Sequence, residues 1–79
     1  MNVKLKVGDL IRPKPNYVYT KIRTGICRPW VYEHCPPCVV VDLKKGFYPI
    51  FHCSWNNEVL MMTEPELDWC EVVNMRKEE

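Results

Sequence analysis

The sequence predicts an all-β fold, a small barrel of about five short antiparallel strands with one 3₁₀ or helical turn before the last strand. Short apolar or alternating runs recur along the chain and are separated by turn residues, which is typical of strands. No window of about eleven residues keeps the 3.6-residue period of a helix without a proline or glycine. With 79 residues, the chain has room for one domain, which we expect to span residues 1–79.

The first half of the chain predicts short strands followed by a long connection. Residues 3–7 alternate apolar and basic side chains, and a Gly-Asp turn separates them from a second run at residues 10–12. Pro13 interrupts the ladder there, because proline has no backbone N–H to donate. Residues 17–22 can be extended. We expect a long Cys/Pro-rich loop at about residues 24–38.

The second half predicts three strands joined by tight turns, at residues 39–43, 48–55 and 58–62. Residues 63–67 predict a single helical turn, because a threonine cap is followed by an early proline and by a glutamate three residues after the cap. A closing strand follows at residues 69–73.

Apolar side chains of the second half supply the predicted core. It consists of Val40, Leu43, Ile50, Val59, Met61, Leu67 and Val72. Cys53 and Cys70 lie in alternating strands, and we expect them to pack in the same core as small apolar residues.

This order of elements is the layout of a small SH3-like barrel, and the residues resemble a loose group of short SH3-like barrels encoded by tailed bacteriophages. The matching motifs are Val7-Gly8-Asp9-Leu10-Ile11, Val40-Val41-Asp42, Trp55-Asn56-Asn57-Glu58, Pro65-Glu66-Leu67 and Val72-Val73. The Cys- and Pro-rich insert at residues 26–38 departs from the group's pattern.

The resemblance implies a tailed phage as the source, with cyanobacteria as a candidate host. It implies a non-enzymatic accessory or structural protein of the virion, such as a capsid decoration (cement) subunit or a tail component. Such a protein acts by protein–protein binding, and its partners would be other virion proteins or copies of itself. The localisation would be the virion if the chain is phage-encoded, and otherwise the cytoplasm of the host cell.

Charge is balanced overall but divided along the chain. The formal net charge is +1, which argues against a uniformly basic nucleic-acid binder. Residues 1–30 hold seven basic side chains and one acidic, whereas residues 31–79 hold four basic and nine acidic. The two halves are either ordinary solvated surfaces or complementary faces for neighbouring molecules.

The chain has no apolar run of signal-peptide or membrane-span length, so we expect a complete, soluble intracellular protein and no membrane partner. It has five cysteines, an odd number. In a reducing compartment this favours free thiols or metal ligands over disulfides.

The sequence His34-Cys35-Pro36-Pro37-Cys38 is the most specific local motif. Two cysteines separated by two residues can reach one zinc ion, which prefers four nitrogen or sulfur ligands. The candidate metal ligands are Cys27, His34, Cys35 and Cys38, with Cys53 or His52 as further donors. The second Cys-x-x-Cys half of a zinc ribbon is missing, so a Cys35–Cys38 or Cys27–Cys38 disulfide, or free thiols, stay open as alternatives. Apart from zinc at this loop, no cofactor is expected.

No catalytic residue can be assigned, and we expect that the protein is not an enzyme. Neither histidine has a Ser-His-Asp or Cys-His-Asn context. The three glycines are isolated turn residues rather than a phosphate-binding loop.

An alternative function is a small nucleic-acid-binding barrel that uses the basic and aromatic segment at residues 12–30. Basic side chains interleaved with aromatic ones suit the backbone and the bases of a single strand. The candidate interaction surface is Arg12, Lys14, Tyr17, Tyr19, Lys21, Arg23, Arg28 and Trp30. These aromatic side chains could instead pack under the long loop, or line a groove for proline-rich peptides.

Overall fold

The computed structural model describes residues 5–73 as one curved antiparallel sheet that forms a half-barrel. Its strands are β1 (Leu10–Pro13), β2 (Val18–Lys21), β3 (Cys27–Pro29), β4 (Cys38–Lys44), β5 (Tyr48–Cys53), β6 (Glu58–Met62) and β7 (Cys70–Val72). Their order across the sheet is β3-β2-β6-β5-β4-β1-β7. The all-β prediction is confirmed.

The predicted count of about five strands is wrong, because the described residues form seven. The stretch predicted as extended at residues 17–22 contains β2, and an additional strand, β3, forms a hairpin with it inside the predicted loop. In this hairpin β2 pairs with β3 on one side and with β6 on the other. The β3 strand interrupts the loop that was predicted at residues 24–38. Its last residue, Pro29, is tolerated because β3 is the edge of the sheet, where a missing donor leaves no partner unsatisfied.

The helical turn predicted at residues 63–67 is also wrong, since the described part of the chain contains no helix. The Leu67 N–H donates to the Glu64 carbonyl at 3.2 Å, and the Trp69 N–H donates to the Leu67 carbonyl at 2.9 Å. These bonds close two successive tight turns instead of repeating the i→i+3 pattern of a 3₁₀ helix. Among residues 5–73, no helix is long and apolar enough to cross a membrane.

The start of the chain is fastened to β4 by the predicted Gly-Asp turn. The Gly8 N–H donates to the Val40 carbonyl at 2.7 Å, and the Val40 N–H donates to the Asp9 carbonyl at 2.9 Å. Gly8 has a φ of +99°, a conformation that side chains with a Cβ rarely adopt. Of the strand predicted at residues 3–7, residues 5–7 are not in a strand and the remainder lies outside the described residues.

Pro13 ends β1 without costing a hydrogen bond to β7. The Lys14 N–H donates to the Trp69 carbonyl, and the Val73 N–H donates to the Leu10 carbonyl, each at 2.7 Å. Bonded positions in an antiparallel pair alternate, so Pro13 occupies a position that needs no donor.

Aromatic and sulfur-containing side chains from almost every strand form the core. The buried apolar residues are Leu5, Ile11, Tyr19, Trp30, Cys38, Val40, Phe51, Cys53, Leu60, Met62, Trp69 and Cys70. The predicted burial of Cys53 and Cys70 is confirmed, as is that of Val40.

Three other predicted core residues, Ile50, Val59 and Met61, lie on the opposite face of the sheet and are only half-buried. Their neighbours in the chain are the buried ones, namely Phe51, Leu60 and Met62. Both positions of each pair are apolar, so the alternation of side chains along a strand did not reveal which set faces inward.

The last predicted core residues lie at the margin of the half-barrel. Leu67 is 42% exposed in the turn before β7, and Val72 is 41% exposed on the edge strand. Leu43 is half-buried and packs against the buried residues of the core without being one of them. The turn and the edge strand therefore contribute less to the core than the central strands.

The two faces of β6 give a direct test of this register. We expect Leu60→Ala to lower the free energy of unfolding by about 2–5 kcal/mol, because it leaves a cavity in the core. Val59→Ala, one residue earlier on the outer side, should cost less than about 1 kcal/mol. Urea denaturation of both variants measures the difference, and equal costs would contradict the register.

Candidate functional site

The aromatic members of the predicted interaction surface belong to the core. Tyr19 and Trp30 are buried, and Tyr17 is half-buried against the core. The Tyr19 hydroxyl lies 3.3 Å from the Lys14 carbonyl and 3.4 Å from the Trp69 carbonyl, and burial raises the pKa of this hydroxyl. Tyr19 and Trp30 are therefore not exposed for base stacking, and they join the main core rather than a separate cluster under the loop.

Two lysines of the predicted surface are engaged by carboxylates. Lys14 Nζ lies 2.8 Å from Asp68 Oδ2, and Lys21 Nζ lies 3.1 Å from Glu58 Oε2. The first pair raises the pKa of Lys14 and lowers the pKa of Asp68, because the charge-assisted hydrogen bond favours both charged forms. The positive charge of each lysine is therefore balanced by a neighbouring carboxylate.

The arginines are divided between a structural contact and the surface. Arg12 Nε donates to the Cys35 carbonyl at 3.2 Å, which holds the loop before β4 against β1. Arg23 and Arg28 are exposed on and beside the β2–β3 hairpin. Arg23 and Lys21 line an open groove of about 380 Å³. The positively charged side chains of this part of the predicted surface are therefore accessible to solvent.

The sheet's convex side carries an apolar surface that the sequence analysis did not identify. Strand pairing aligns one row of side chains across four strands and the residue after β2, namely Ile22, Val59, His52, Val39 and Leu10. A parallel row contains Cys27, Thr20, Met61, Ile50 and Asp42. We call Leu10, Ile22, Val39, Ile50, Val59 and Met61 the outer apolar face.

Each residue of the outer apolar face is half-buried or exposed, with Ile22 at 44% and Leu10 at 37%. Single exposed apolar side chains are ordinary, but these six lie close together on one face of the sheet, interrupted only by His52 in the middle of the first row. Three of the six residues, Ile50, Val59 and Met61, were predicted to be core. The sequence shows that these residues are apolar, but only the strand register shows on which face of the sheet they lie.

The fold separates Cys27 from the other predicted metal ligands. Cys27 lies on the edge strand β3, where its sulfur is 3.4 Å from Thr20 Oγ1, and three strands separate it from β4. His34 is exposed, Cys35 is half-buried and Cys38 is buried. Among residues 5–73, no group of three or more histidine, cysteine or acidic side chains is arranged to hold a metal ion. Zinc at this loop stays a prediction.

The thiol of Cys38 faces a different partner from those predicted. Its sulfur lies 3.3 Å from the sulfur of Cys53 on β5, and both residues are fully buried. The hydrogen bond to Cys53 and burial together raise the pKa of Cys38. Burial also raises the pKa of the half-buried Cys35, and it raises that of Cys70 from 9.0 to about 12.

Comparison of the chain with protein-family models, curated proteins and solved structures finds no match.

The buried thiols predict loss of stability in alkaline solution. A thiol whose pKa is raised by folding stabilises the protein below pH 9, and this contribution falls as the pH rises towards the folded-state pKa. For Cys70 the window is pH 9.0 to about 12. Within it, the free energy of unfolding should fall by up to about 1.4 kcal/mol per pH unit for this group.

Urea denaturation between pH 7 and pH 11 under reducing conditions measures this slope. Cys70→Ala should make it less steep, because one of the buried thiols with a raised pKa is removed, whereas Cys27→Ala removes an exposed thiol and serves as the control. An identical slope in the wild type and in Cys70→Ala would refute the assignment.

Proposed function

We propose that this protein is a non-enzymatic structural protein that acts by protein–protein binding, as a capsid decoration (cement) subunit or tail component of a tailed-phage virion. The outer apolar face is the observation that carries the binding role. The phage setting comes from the sequence motifs that resemble short phage-encoded barrels.

We also propose that the half-barrel is a variant of the SH3-like barrel. Without the β2–β3 hairpin, the remaining strands follow the order β7-β1-β4-β5-β6, in which the last strand pairs with the first and the others form a meander. This matches the strand order of SH3-like barrels. A register shift between Val40 and Asp42 in β4 supplies the irregularity that lets one strand bend between two parts of a barrel.

A second copy of the chain is the partner that the outer apolar face fits. The face is five chain segments wide, about 19 Å at ordinary strand spacing, and its two rows are two residues apart, about 7 Å along a strand. A patch of this size is smaller than the roughly 800 Å² per partner of a standard interface, so it suits a weak, transient contact between copies. Two copies would pack face to face, as the sheets of a β-sandwich do.

The charge pattern is compatible with this partner. A net charge of +1 gives little repulsion between copies. Asp42 lies at one end of a row of the face, and Arg12 and Glu71 form a cross-strand pair farther along the same convex side. Charges of both signs at the rim can be complementary when a second copy is rotated by half a turn.

Self-association is measured by sedimentation velocity across a concentration series. The wild type should form a weak dimer at high micromolar concentrations, and Met61→Lys should weaken it at least tenfold by placing a charge in the centre of the face. Val31→Lys is the matched control, because Val31 is 67% exposed and lies outside the face. A wild type that stays monomeric at high concentration would refute the face-to-face contact.

The virion role is tested with particles purified from the phage that encodes the chain. Mass spectrometry should detect the wild-type protein in the particles at stoichiometric levels, and Met61→Lys should reduce its incorporation while Val31→Lys should not. Absence from purified particles would overturn the virion proposal, whatever the oligomeric state of the free protein.

Nucleic-acid binding remains the alternative, and the exposed Arg23 and Arg28 are the observation in its favour. A mobility-shift titration with single-stranded DNA at several salt concentrations distinguishes the two functions. The virion proposal predicts no salt-dependent shift. A shift that Arg23→Glu together with Arg28→Glu abolishes would establish the alternative.

A further inference from the structure

We propose that Cys38 and Cys53 form a redox-active thiol pair that closes into a cross-strand disulfide, with Cys35 as the thiol at which exchange with a small disulfide begins. This proposal is independent of the virion role. It assigns a function to the thiols that the outer apolar face does not use.

Strand register places the two cysteines directly opposite each other. Val39 pairs with His52 and Val40 pairs with Phe51, so continuing the ladder by one residue sets Cys38 opposite Cys53. The N–H and carbonyl of Val40 are both engaged by the Gly8-Asp9 turn, on the side away from β5. By the alternation of the ladder, Cys38 and Cys53 form a non-hydrogen-bonded pair.

A non-hydrogen-bonded antiparallel pair is suited to a disulfide. Its Cα atoms are about 4.5 Å apart, within the range that disulfides span, and its side chains are closer than in a bonded pair. The Cys38 and Cys53 sulfurs are already 3.3 Å apart. Closing to the covalent distance of about 2.05 Å requires each sulfur to move by less than about 1 Å.

Access to this buried pair is provided by Cys35. It is half-buried and packs against the buried core cluster that contains Cys38 and Cys53. Cys35 also lines an open recess of about 510 Å³ with Arg12 and His34. Glu33 and Glu71 also line the recess, which is large enough for part of a small disulfide. Oxidised glutathione fits this lining because it carries carboxylates that Arg12 can pair with and ammonium groups that the two glutamates can pair with.

The exchange proceeds in three balanced steps. The Cys35 thiolate attacks one sulfur of oxidised glutathione, which forms a mixed disulfide and releases one glutathione thiolate. The Cys53 thiolate then attacks the Cys35 sulfur and releases the second glutathione. Finally the Cys38 thiolate attacks Cys53, which forms the Cys38–Cys53 bond and regenerates the Cys35 thiol. Overall, two protein thiols lose two electrons and two protons, and oxidised glutathione becomes two molecules of glutathione.

The bond would join the two central strands β4 and β5 on the core side. It would close the segment from Cys38 to Cys53, which includes the turn between these strands. A crosslink of this kind stabilises mainly by restricting the unfolded chain. Oxidation would therefore make the sheet harder to unfold without changing its outer surface.

The test treats the folded protein with oxidised glutathione, blocks free thiols with an alkylating reagent and maps disulfides by mass spectrometry without reduction. The expected product is a Cys38–Cys53 bond with three alkylated cysteines, and a melting temperature raised by on the order of 10 °C. Reduction should reverse both changes. A different pairing, such as Cys35–Cys38, or five alkylated thiols after treatment, would overturn the proposal.

Three variants separate the roles of the thiols. Cys53→Ala should abolish the bond, whereas Cys70→Ala, an equally buried cysteine on β7, should form it as the wild type does. Cys35→Ala should give the same product at least tenfold more slowly, and an unchanged rate would refute the entry role of Cys35. If Cys53→Ala does not fold, the mapping in the wild type and in Cys70→Ala still decides whether the bond forms.

Discussion

The buried ring of Tyr19 is the contact on which the rest of the half-barrel depends. Its ring centroid lies 5.4 Å from that of Trp30, 5.5 Å from Phe51 and 5.8 Å from Trp69, in edge-to-face geometry. Its hydroxyl lies near the Lys14 and Trp69 carbonyls, which gives the polar end partners inside the protein. One side chain thus joins the β2–β3 hairpin, the central strand β5 and the segment that leads into β7.

This arrangement explains why the convex side of the sheet is apolar. Four large aromatic rings fill the concave side, together with buried sulfur-containing side chains. A 79-residue chain buries a smaller fraction of its surface than a larger domain, so apolar residues beyond this core must lie elsewhere. They collect on the outer apolar face, across β1, β4, β5, β6 and the residue that follows β2.

The sequence predicted the positions of the central strands well and their faces poorly. The β-branched run before Asp42 and the turns around Gly46 and Asn57 locate β4, β5 and β6 to within two residues of the observed bounds. The face that points inward could not be predicted, because β5 and β6 have apolar residues at both their odd-numbered and their even-numbered positions. The edge strand β3 has the sequence Cys-Arg-Pro, whose pairing with β2 depends on tertiary contacts rather than propensity.

The same dependence on register explains why the thiol pair was not evident from the Cys-x-x-Cys spacing. Cys35 and Cys38 are neighbours in the chain, but the start of β4 turns Cys38 into the core, where the facing residue comes from β5. The central strands consequently carry both candidate functions, with Cys53 on the inner face of β5 and Ile50 on its outer face. A bond between β4 and β5 on the inner side would restrain the relative motion of the strands that present the outer apolar face. A contact surface held in this way loses less conformational freedom when it binds, so oxidation of the core and binding at the surface would reinforce one another.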